Sequence, residues 1–365
     1  MDDEAYERVG VRGQGEALSA IVRHLGPTLS LPNAELLTPF GGYASALKLS
    51  DELAIAISTD GVGTKTIVAA ALDRYDTIGF DCVAMNANDV ICIGATPIAM
   101  VDYLAVHTLD EARVEQILKG LGAAAAEAGI AVPGGEIAQL PEIIGSDGRV
   151  HGDPTAFDFA GTCIGVVHPD RVILGHDVQE GDALIGLESS GIHSNGLTLA
   201  RRVLLEEAGY EYHDNLGRLG RTIGDEMLEP TRIYVAAVKA LWGAGIETHG
   251  LVHITGDGFA NLCRLKADVS YVIEQLPETP NIFGLIQDAG NITDAEMYRV
   301  FNMGVGLIVV VPETAVDAAL ACAAKARCGA MRIGTVIERG PRAVTIEPAG
   351  LVGRMDSGES LFSPI

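Results

Sequence analysis

The sequence predicts a two-domain α/β protein. Three observations lead there. The chain has 365 residues, of which 48% are hydrophobic and only 20% charged; that is enough for a large core, and at roughly 100–200 residues per domain it suggests two domains. Short apolar runs with strand patterning alternate with amphipathic helical stretches. No segment recurs at a fixed period, which excludes solenoids and propellers.

In chain order, "ELAIAIS" (52–58) reads as a strand and "DTIGFDCVAMNANDVICIGA" (76–95) as an apolar helix. "IAMVDYLAV" (98–106) is a second strand. "LDEARVEQILKGLGAAAAEAG" is an amphipathic helix that Gly129 should end, with "IAVPGG" a strand after it. "FDFAGTCIGVV" and "DALIGLES" are strands on either side of the polar "HPDRVILGHDVQEG". The second half continues with helices over "NGLTLARRVLLEEAG" and "RIYVAAVKALWGAG", then strands at "LVHIT" and "GVGLIVVVP". A helix over "TAVDAALACAAKAR" and a short strand "AVTIE" follow. The domain boundary belongs near residue 170, giving domains over 1–170 and 171–348, with 349–365 a loose tail.

A formal net charge of −24 repels phosphate backbones and argues against a nucleic-acid partner. No apolar run reaches the roughly 18 residues of a membrane span, and the acidic start "MDDEAYERVG" is unlike a secretory signal. A cytoplasmic enzyme is the expectation. The six cysteines contain no CxxC pair, so buried free thiols are expected rather than a zinc or redox motif.

The chemistry concentrates in six short motifs: "PFGGY" (39–43), "STDGVGTK" (58–65), "MNANDV" (85–90), "PGGE" (133–136), "SSGIHSNG" (189–196) and "HITGDGF" (253–259). None is a Walker loop, because Gly63-Thr64-Lys65-Thr66 does not place lysine directly after glycine. "GVRGQGEAL" is a poor dinucleotide fingerprint, with no third glycine and no preceding strand. The acids matter most. Asp60 and Glu136 follow strands, and Asp81 and Asp89 lie eight apart in one helix, close enough to two turns to share a face. Such carboxylates could hold the Mg²⁺ that phosphoryl transfer from a nucleotide needs. Taken singly, each has a plainer reading: Asp-Gly is commonly a turn, paired glycines are hinges, and His193 is a satisfied loop histidine. Asn88 and Asp89 inside an apolar helix are harder to dismiss, since both would be buried and need partners.

As a set the motifs resemble the phosphoribosylformylglycinamidine cyclo-ligase (aminoimidazole ribonucleotide synthetase) family, from about Tyr6 to about Pro348. The resemblance is carried by "TDGVGTK", "YDTIGFDCVAMNANDV", "GGEIAQLPE", "AGTCIGVV", "SSGIHSNGLTLARRVL", "LEPTRIYV", "HITGDGF" and "EMYRVFNMGVG". It implies ATP-dependent closure of formylglycinamidine ribonucleotide to aminoimidazole ribonucleotide, with ATP phosphorylating the formyl oxygen before the ribosyl-bearing nitrogen attacks that carbon and phosphate leaves. It also implies ATP as cosubstrate, Mg²⁺, and a homodimer whose N-terminal-domain strands pair into a β-barrel. By the same resemblance Asp60, Lys65, Glu136 and His193 are catalytic, and Asp60, Asp81, Asp89 and Glu136 hold metal. Gly41, Gly42, Gly61, Gly63, Thr64, Asn88, Gly134, Gly135, Ser194 and Asn195 bind nucleotide or substrate.

The chain departs from the family pattern at Ile137 and Gln139 (usually Thr and Glu), at Asp257 inside a usual glycine run, and at Arg12-Gly13. These departures bear on substrate choice. Among related enzymes, selenophosphate synthetase would need a reactive cysteine that "TPFGGYASAL" lacks. The hydrogenase-maturation dehydratase would end in a functional cysteine where this chain ends "LFSPI". A thiamine-monophosphate kinase or a non-catalytic nucleotide-binding dimer are the alternatives.

Overall fold

The computed structural model describes residues 15–30, 35–145, 152–338, 340, 342–356 and 359–365; Arg12 and Gly13 lie outside the described residues. Two sheets carry the fold. The first contains β1 (Glu35–Leu36), β2 (Ser45–Lys48), β3 (Ala54–Gly61), β4 (Thr96–Val106), β5 (Ala131–Gln139) and β6 (Phe157–Val167). Their spatial order is β1-β2-β3-β6-β4-β5, and only β4 and β5 run parallel.

The second sheet contains β7 (Ala183–Glu188), β8 (Gly250–His253), β9 (Ser270–Ile273), β10 (Val305–Val311), β11 (Ala330–Ile337), β12 (Ala343–Ile346), β13 (Leu351–Asp356) and β14 (Glu359–Pro364). It is ordered β14-β13-β12-β9-β11-β7-β10-β8, with only β9 and β12 parallel. Strand and helix do alternate in sequence, as expected. Most neighbouring strands are antiparallel, which is the α+β form of the expected α/β (α+β) class. The residues expected as a loose tail instead form β13 and β14: Leu351–Ile346 and Leu351–Pro364 are paired positions, and residues 351–354 are held by ladders on both sides.

Ten α-helices are described: α1 (Gly15–Leu25), α2 (Lys65–Leu72), α3 (Ile78–Cys92), α4 (Glu111–Ala128), α5 (Leu197–Arg201), α6 (Ile223–Leu228), α7 (Val235–Gly243), α8 (Asn281–Gly290), α9 (Asp294–Val300) and α10 (Val316–Lys325). Helix α4 starts where Asp110 accepts a hydrogen bond from Arg113 N (3.1 Å) and stops at Gly129, whose φ of 69° closes the last turn. The helix expected over 195–209 is α5 continued by a wider π-type turn over Arg202–Glu207. No described helix is long and apolar enough to cross a membrane. All six cysteines are buried free thiols.

Helix α3 is the axis of the molecule. It is buried along nearly its whole length, between β3, β6 and α4 of the first domain and β8 of the second. It crosses α4 at bare backbone: a Cβ on Gly79 would fall 2.0 Å from Leu121 N, and one on Gly120 2.1 Å from Asp76 O.

The first sheet alternates by face. Ala54, Ala56, Ser58, Met100, Leu104 and Cys163 are buried towards the helices. Ile55, Ile57, Val101, Tyr103, Ile164 and Val166 occupy the other face, none of them buried, with Val101 42% and Tyr103 43% exposed. This face makes the first domain a half-barrel whose inner wall is open.

Candidate active site between the two sheets

Four of the six motifs converge where α3 meets the second domain. The turn from β3 into α2 brings Asp60, Gly61, Gly63 and Thr64. The Asn88–Asp89 step comes from the last turn of α3, Ser194 and Asn195 from the loop after β7, and His253 with Gly256 from the end of β8. Thr64 Oγ1 lies 3.0 Å from Thr198 Oγ1 across the gap, and a Cβ on Gly256 would stand 3.7 Å from Asn195 Oδ1. Gly63 takes a left-handed φ of 68°, the sharp step that starts α2.

The acids found in the sequence meet different fates. Asp60 accepts a hydrogen bond from Gly61 N (2.7 Å). Burial, with the nearby Asp89 charge adding to it, pushes its carboxyl up to about 6. Asp89 Oδ1 accepts from His253 Nδ1 at 2.8 Å. That bond places the proton on Nδ1 and leaves the buried Nε2 without a partner. Asn86 donates to the carbonyls of Asp60 (3.1 Å) and Cys82 (2.9 Å), and its buried Oδ1 is likewise unpartnered.

Asp81 does something else. Its Oδ1 accepts from Lys65 Nζ (2.7 Å), Thr231 N (2.8 Å) and Thr231 Oγ1 (2.6 Å), and Ser194 Oγ stands 3.2 Å away. Lys65 is fully buried and also donates to Glu229 O. Burial pulls its pKa down, and Asp81 partly restores it. Asn88 behaves similarly, donating to Arg232 O (2.9 Å) and accepting from Tyr234 N (2.9 Å). Asp81 and Asn88 thus bond the 231–234 segment, whereas Asp89 bonds His253 at the end of β8. The first two clamp that backbone rather than facing open space, and Lys65 is held in the same clamp.

His193 is buried at a left-handed φ of 65°, its Nε2 accepting from Ser190 N (3.2 Å) and Nδ1 unpartnered. Burial drives its pKa well down, so the ring is neutral.

Glu136 is not brought to this cleft. Register sets Asp60, Gly161, Asp102 and Gly135 in one row across β3, β6, β4 and β5. The next row holds Gly61, Ala160, Tyr103 and Glu136. Side chains in successive rows point to opposite faces, and three inter-strand spacings of about 4.8 Å separate β3 from β5. Within one chain Glu136, with Gly134, belongs to the edge strand β5 and is exposed. Gly135 has its own reason: the Asp102 carboxylate lies where its Cβ would be, 2.3 Å away.

Gly41 (φ 82°) and Gly42 border a cavity of about 110 Å³ together with Tyr43, Arg264 and Lys266. Tyr43 donates from its hydroxyl to His253 O (3.0 Å), and Arg264 stacks over its ring at 5.2 Å. His253, Tyr43 and Arg264 were missed from the sequence. "HITGDGF" and "PFGGY" were singled out there for their glycines, and the histidine and tyrosine inside the same motifs were the available signal.

Residues 41–167 match the family described as "AIR synthase related protein, N-terminal domain", and residues 179–347 match its C-terminal domain. The chain is 46% identical over 310 residues to a phosphoribosylformylglycinamidine cyclo-ligase of Methanobrevibacter smithii, covering 84% of this chain and 87% of that one. It is 46% identical over 337 residues to the protein of the same name from Methanothermobacter thermautotrophicus, covering 92% and 95%. Among solved structures, thiamine monophosphate kinase from Aquifex aeolicus superposes with a TM-score of 0.58 over 91% of this chain and 96% of its own. At 17% identity that likeness speaks to the fold alone.

Proposed function

Because the chain belongs to the phosphoribosylformylglycinamidine cyclo-ligase family, we propose that it cyclises formylglycinamidine ribonucleotide to 5-aminoimidazole ribonucleotide, turning ATP into ADP and phosphate, as a step of de novo purine synthesis in the cytoplasm. The observation that carries this reading in the chain itself is the Asp60–Asp89 pair at the meeting of the two domains, where burial and mutual repulsion leave Asp60 short of positive charge.

A divalent cation fits that pair. Among the described residues no three His, Cys, Asp or Glu side chains form a closed cage. Mg²⁺ does not require one: it is commonly held by one or two carboxylates, with phosphate oxygens and water completing its shell. Asp60 and Asp89 would hold it, and the unpartnered Asn86 Oδ1 beside Asp60 is a hard oxygen of the right kind. When bound, the ion would neutralise charge on the transferred phosphoryl group.

The chain's own residues do the positioning. The resemblance assigned Lys65 to phosphate and Asp81 to metal; their buried ion pair supports a different task, fixing the 229–231 segment against α2 and α3. Asn88 fixes 232–234 in the same way. Thr64, which meets Thr198 across the gap, and Asn195, beside Gly256, are then the contacts left for substrate. His253, locked by Asp89, orients that carboxylate. An amide-type oxygen is a poor leaving group, and its conversion to phosphate makes ring closure feasible, so holding the formyl oxygen, the nucleotide and the attacking nitrogen in line is the main catalytic demand.

The open face of the first sheet supports a homodimer in which two half-barrels close on each other. Val101 and Tyr103 are then covered rather than wet. A kinase acting on thiamine monophosphate is the competing reading. Parallel incubations with ATP and Mg²⁺, one with formylglycinamidine ribonucleotide and one with thiamine monophosphate, separate them. Aminoimidazole ribonucleotide and ADP should appear in equal amounts in the first and no ADP in the second; the reverse outcome overturns the proposal.

A further inference from the structure

The buried clamp on 229–234 holds a segment whose one cationic side chain it leaves unbonded. Thr231 is bound to Asp81 through both N and Oγ1. Asn88 donates to Arg232 O and accepts from Tyr234 N, and Tyr234 Oη donates to Glu188 O (3.0 Å). Ser190 Oγ donates to Pro230 O (2.5 Å), which ties the loop after β7 to the same segment. The main chain on both sides of Arg232 is thus fixed. Its guanidinium, by contrast, makes no hydrogen bond or ion pair among the described residues, and its buried Nε has no partner.

Two more unpartnered groups lie in the same neighbourhood. Ser189 is 8% exposed, and its buried Oγ has no partner. His193 accepts from Ser190 N through Nε2, so the proton of the neutral ring sits on Nδ1, which is buried and has no acceptor. His193 and Tyr234 stand together against bare backbone: a Cβ on Gly306 would fall 2.0 Å from Tyr234 Oη and 2.5 Å from His193 Cε1. Burial, then the charges of His253, Lys65 and Arg232, keep that ring neutral. Burial also pushes the nearby Cys328 thiol up to about 11, so it brings no negative charge. Glu188 is exposed, and its carboxylate lies over bare Gly329, 2.0 Å from where a Cβ would be, rather than on Arg232. The other cations near the cleft are spent, Lys65 on Asp81 and Arg264 on Asp257. Buried donors left unpaired are costly. A guanidinium, a hydroxyl and a ring N–H, all unpartnered beside the cleft, suit the oxygens of a phosphate.

We propose that Arg232, with Ser189 and the Nδ1–H of His193 beside it, is the subsite for the phosphate monoester of the ribonucleotide substrate. The assignment rests on the cyclo-ligase reading and names the residue that anchors the end of the substrate remote from the chemistry. Ring closure leaves the ribose phosphate unchanged, so this end can be gripped throughout the reaction. Anchoring it fixes the ribosyl-bearing nitrogen relative to the formyl carbon. The clamp then has a task beyond stability: Lys65, Asp81 and Asn88 hold the main chain of the anchor still.

The test has a binding arm and a kinetic arm, both on the full chain. In ligand NMR titrations with ribose 5-phosphate, and with ribose as control, the parent should bind the phosphate ester at least about tenfold more tightly. Arg232→Gln should abolish that preference and Arg232→Lys keep part of it, with ATP affinity unchanged in both. In turnover, the parent should favour formylglycinamidine ribonucleotide over the dephosphorylated riboside by ~100-fold or more in kcat/KM, and Arg232→Gln should cut that ratio to within about tenfold. A side chain that only supports the fold would lower activity on both substrates alike. The proposal is overturned if the parent shows no preference for ribose 5-phosphate, if Arg232→Gln keeps the parent's preference, or if ATP affinity falls in its place. Where Arg232→Gln does not fold, Arg232→Lys decides, and a folded Lys variant without any preference also overturns it. Formation of aminoimidazole ribonucleotide by the parent is scored separately; its absence overturns the cyclo-ligase reading, while the binding arm still decides the subsite.

Discussion

Asp60 carries an acid whose pKa folding raises from 3.8 to about 6. For a group raised in this way, its contribution to stability is full below pH 3.8 and is lost as pH climbs through about 6. Above pH 6 the ionised carboxylate is a liability without a cation beside it. Asp60→Asn should therefore melt at or above the parent temperature at pH 7 in the absence of nucleotide and metal, with the advantage fading towards pH 4. The same variant should lose at least ~100-fold in turnover, the scale of one electrostatic group acting on a developing charge. Full activity at pH 7 would make Asp60 a turn residue only. Lys65 behaves in the opposite sense. Removing it leaves Asp81 buried without its ion-pair partner, so Lys65→Met should cost ~3–5 kcal/mol in a urea titration; a loss under ~1 kcal/mol would show that the clamp on 229–231 is dispensable. At this scale the sequence marked Asn88 and Asp89 as residues that need partners, because a polar pair in an apolar helix has to be satisfied. It could not show which partner each would find: the backbone donors to Asp81 and Asn88 come from Thr231 and Tyr234, about 150 residues along the chain.

At the level of elements, α3 and α4 depend on Gly79 and Gly120. The added Cβ at either position meets main chain rather than a side chain that can swing away. Gly79→Ala or Gly120→Ala must therefore push the helices apart, and overpacking on this scale costs ~1–3 kcal/mol or more. Because α3 carries Asp81, Asn88 and Asp89, displacement should also reduce turnover, whereas Gly122→Ala, with nothing within 4 Å of its Cβ, should leave melting temperature unchanged or raised. A Gly79→Ala variant that melts with the parent would contradict the close crossing. Elements with a strong period or a clean cap were legible: α4 with Asp110 and Gly129, or β10 with its unbroken apolar run. The hairpin β13–β14 was not, since "GRMDSGES" reads as polar loop and its strand character comes from pairing to β12. The same limit applied to Glu136 and Asp60. Both follow strand patterns, but only the register across four strands shows that they face opposite sides of the sheet.

For the whole molecule, the proposed dimer closes over the open face of the first sheet. Tyr103→Asp places a charge in the middle of that face, so the variant should sediment as a monomer where the parent is a dimer. A dimer that survives the substitution would place the interface elsewhere. The two-domain division was legible from length and alternation. The antiparallel bias of the sheets was not, because strand order is a property of pairing between distant segments. The central claim is that this architecture aligns a nucleotide with a formyl oxygen and activates that oxygen by phosphorylation. The most direct test supplies formylglycinamidine ribonucleotide carrying ¹⁸O in its formyl group, together with ATP and Mg²⁺, and reads the released phosphate by mass spectrometry. The account predicts one ¹⁸O in each phosphate, formed in step with aminoimidazole ribonucleotide. Unlabelled phosphate, or ATP consumption without ring closure, would contradict it.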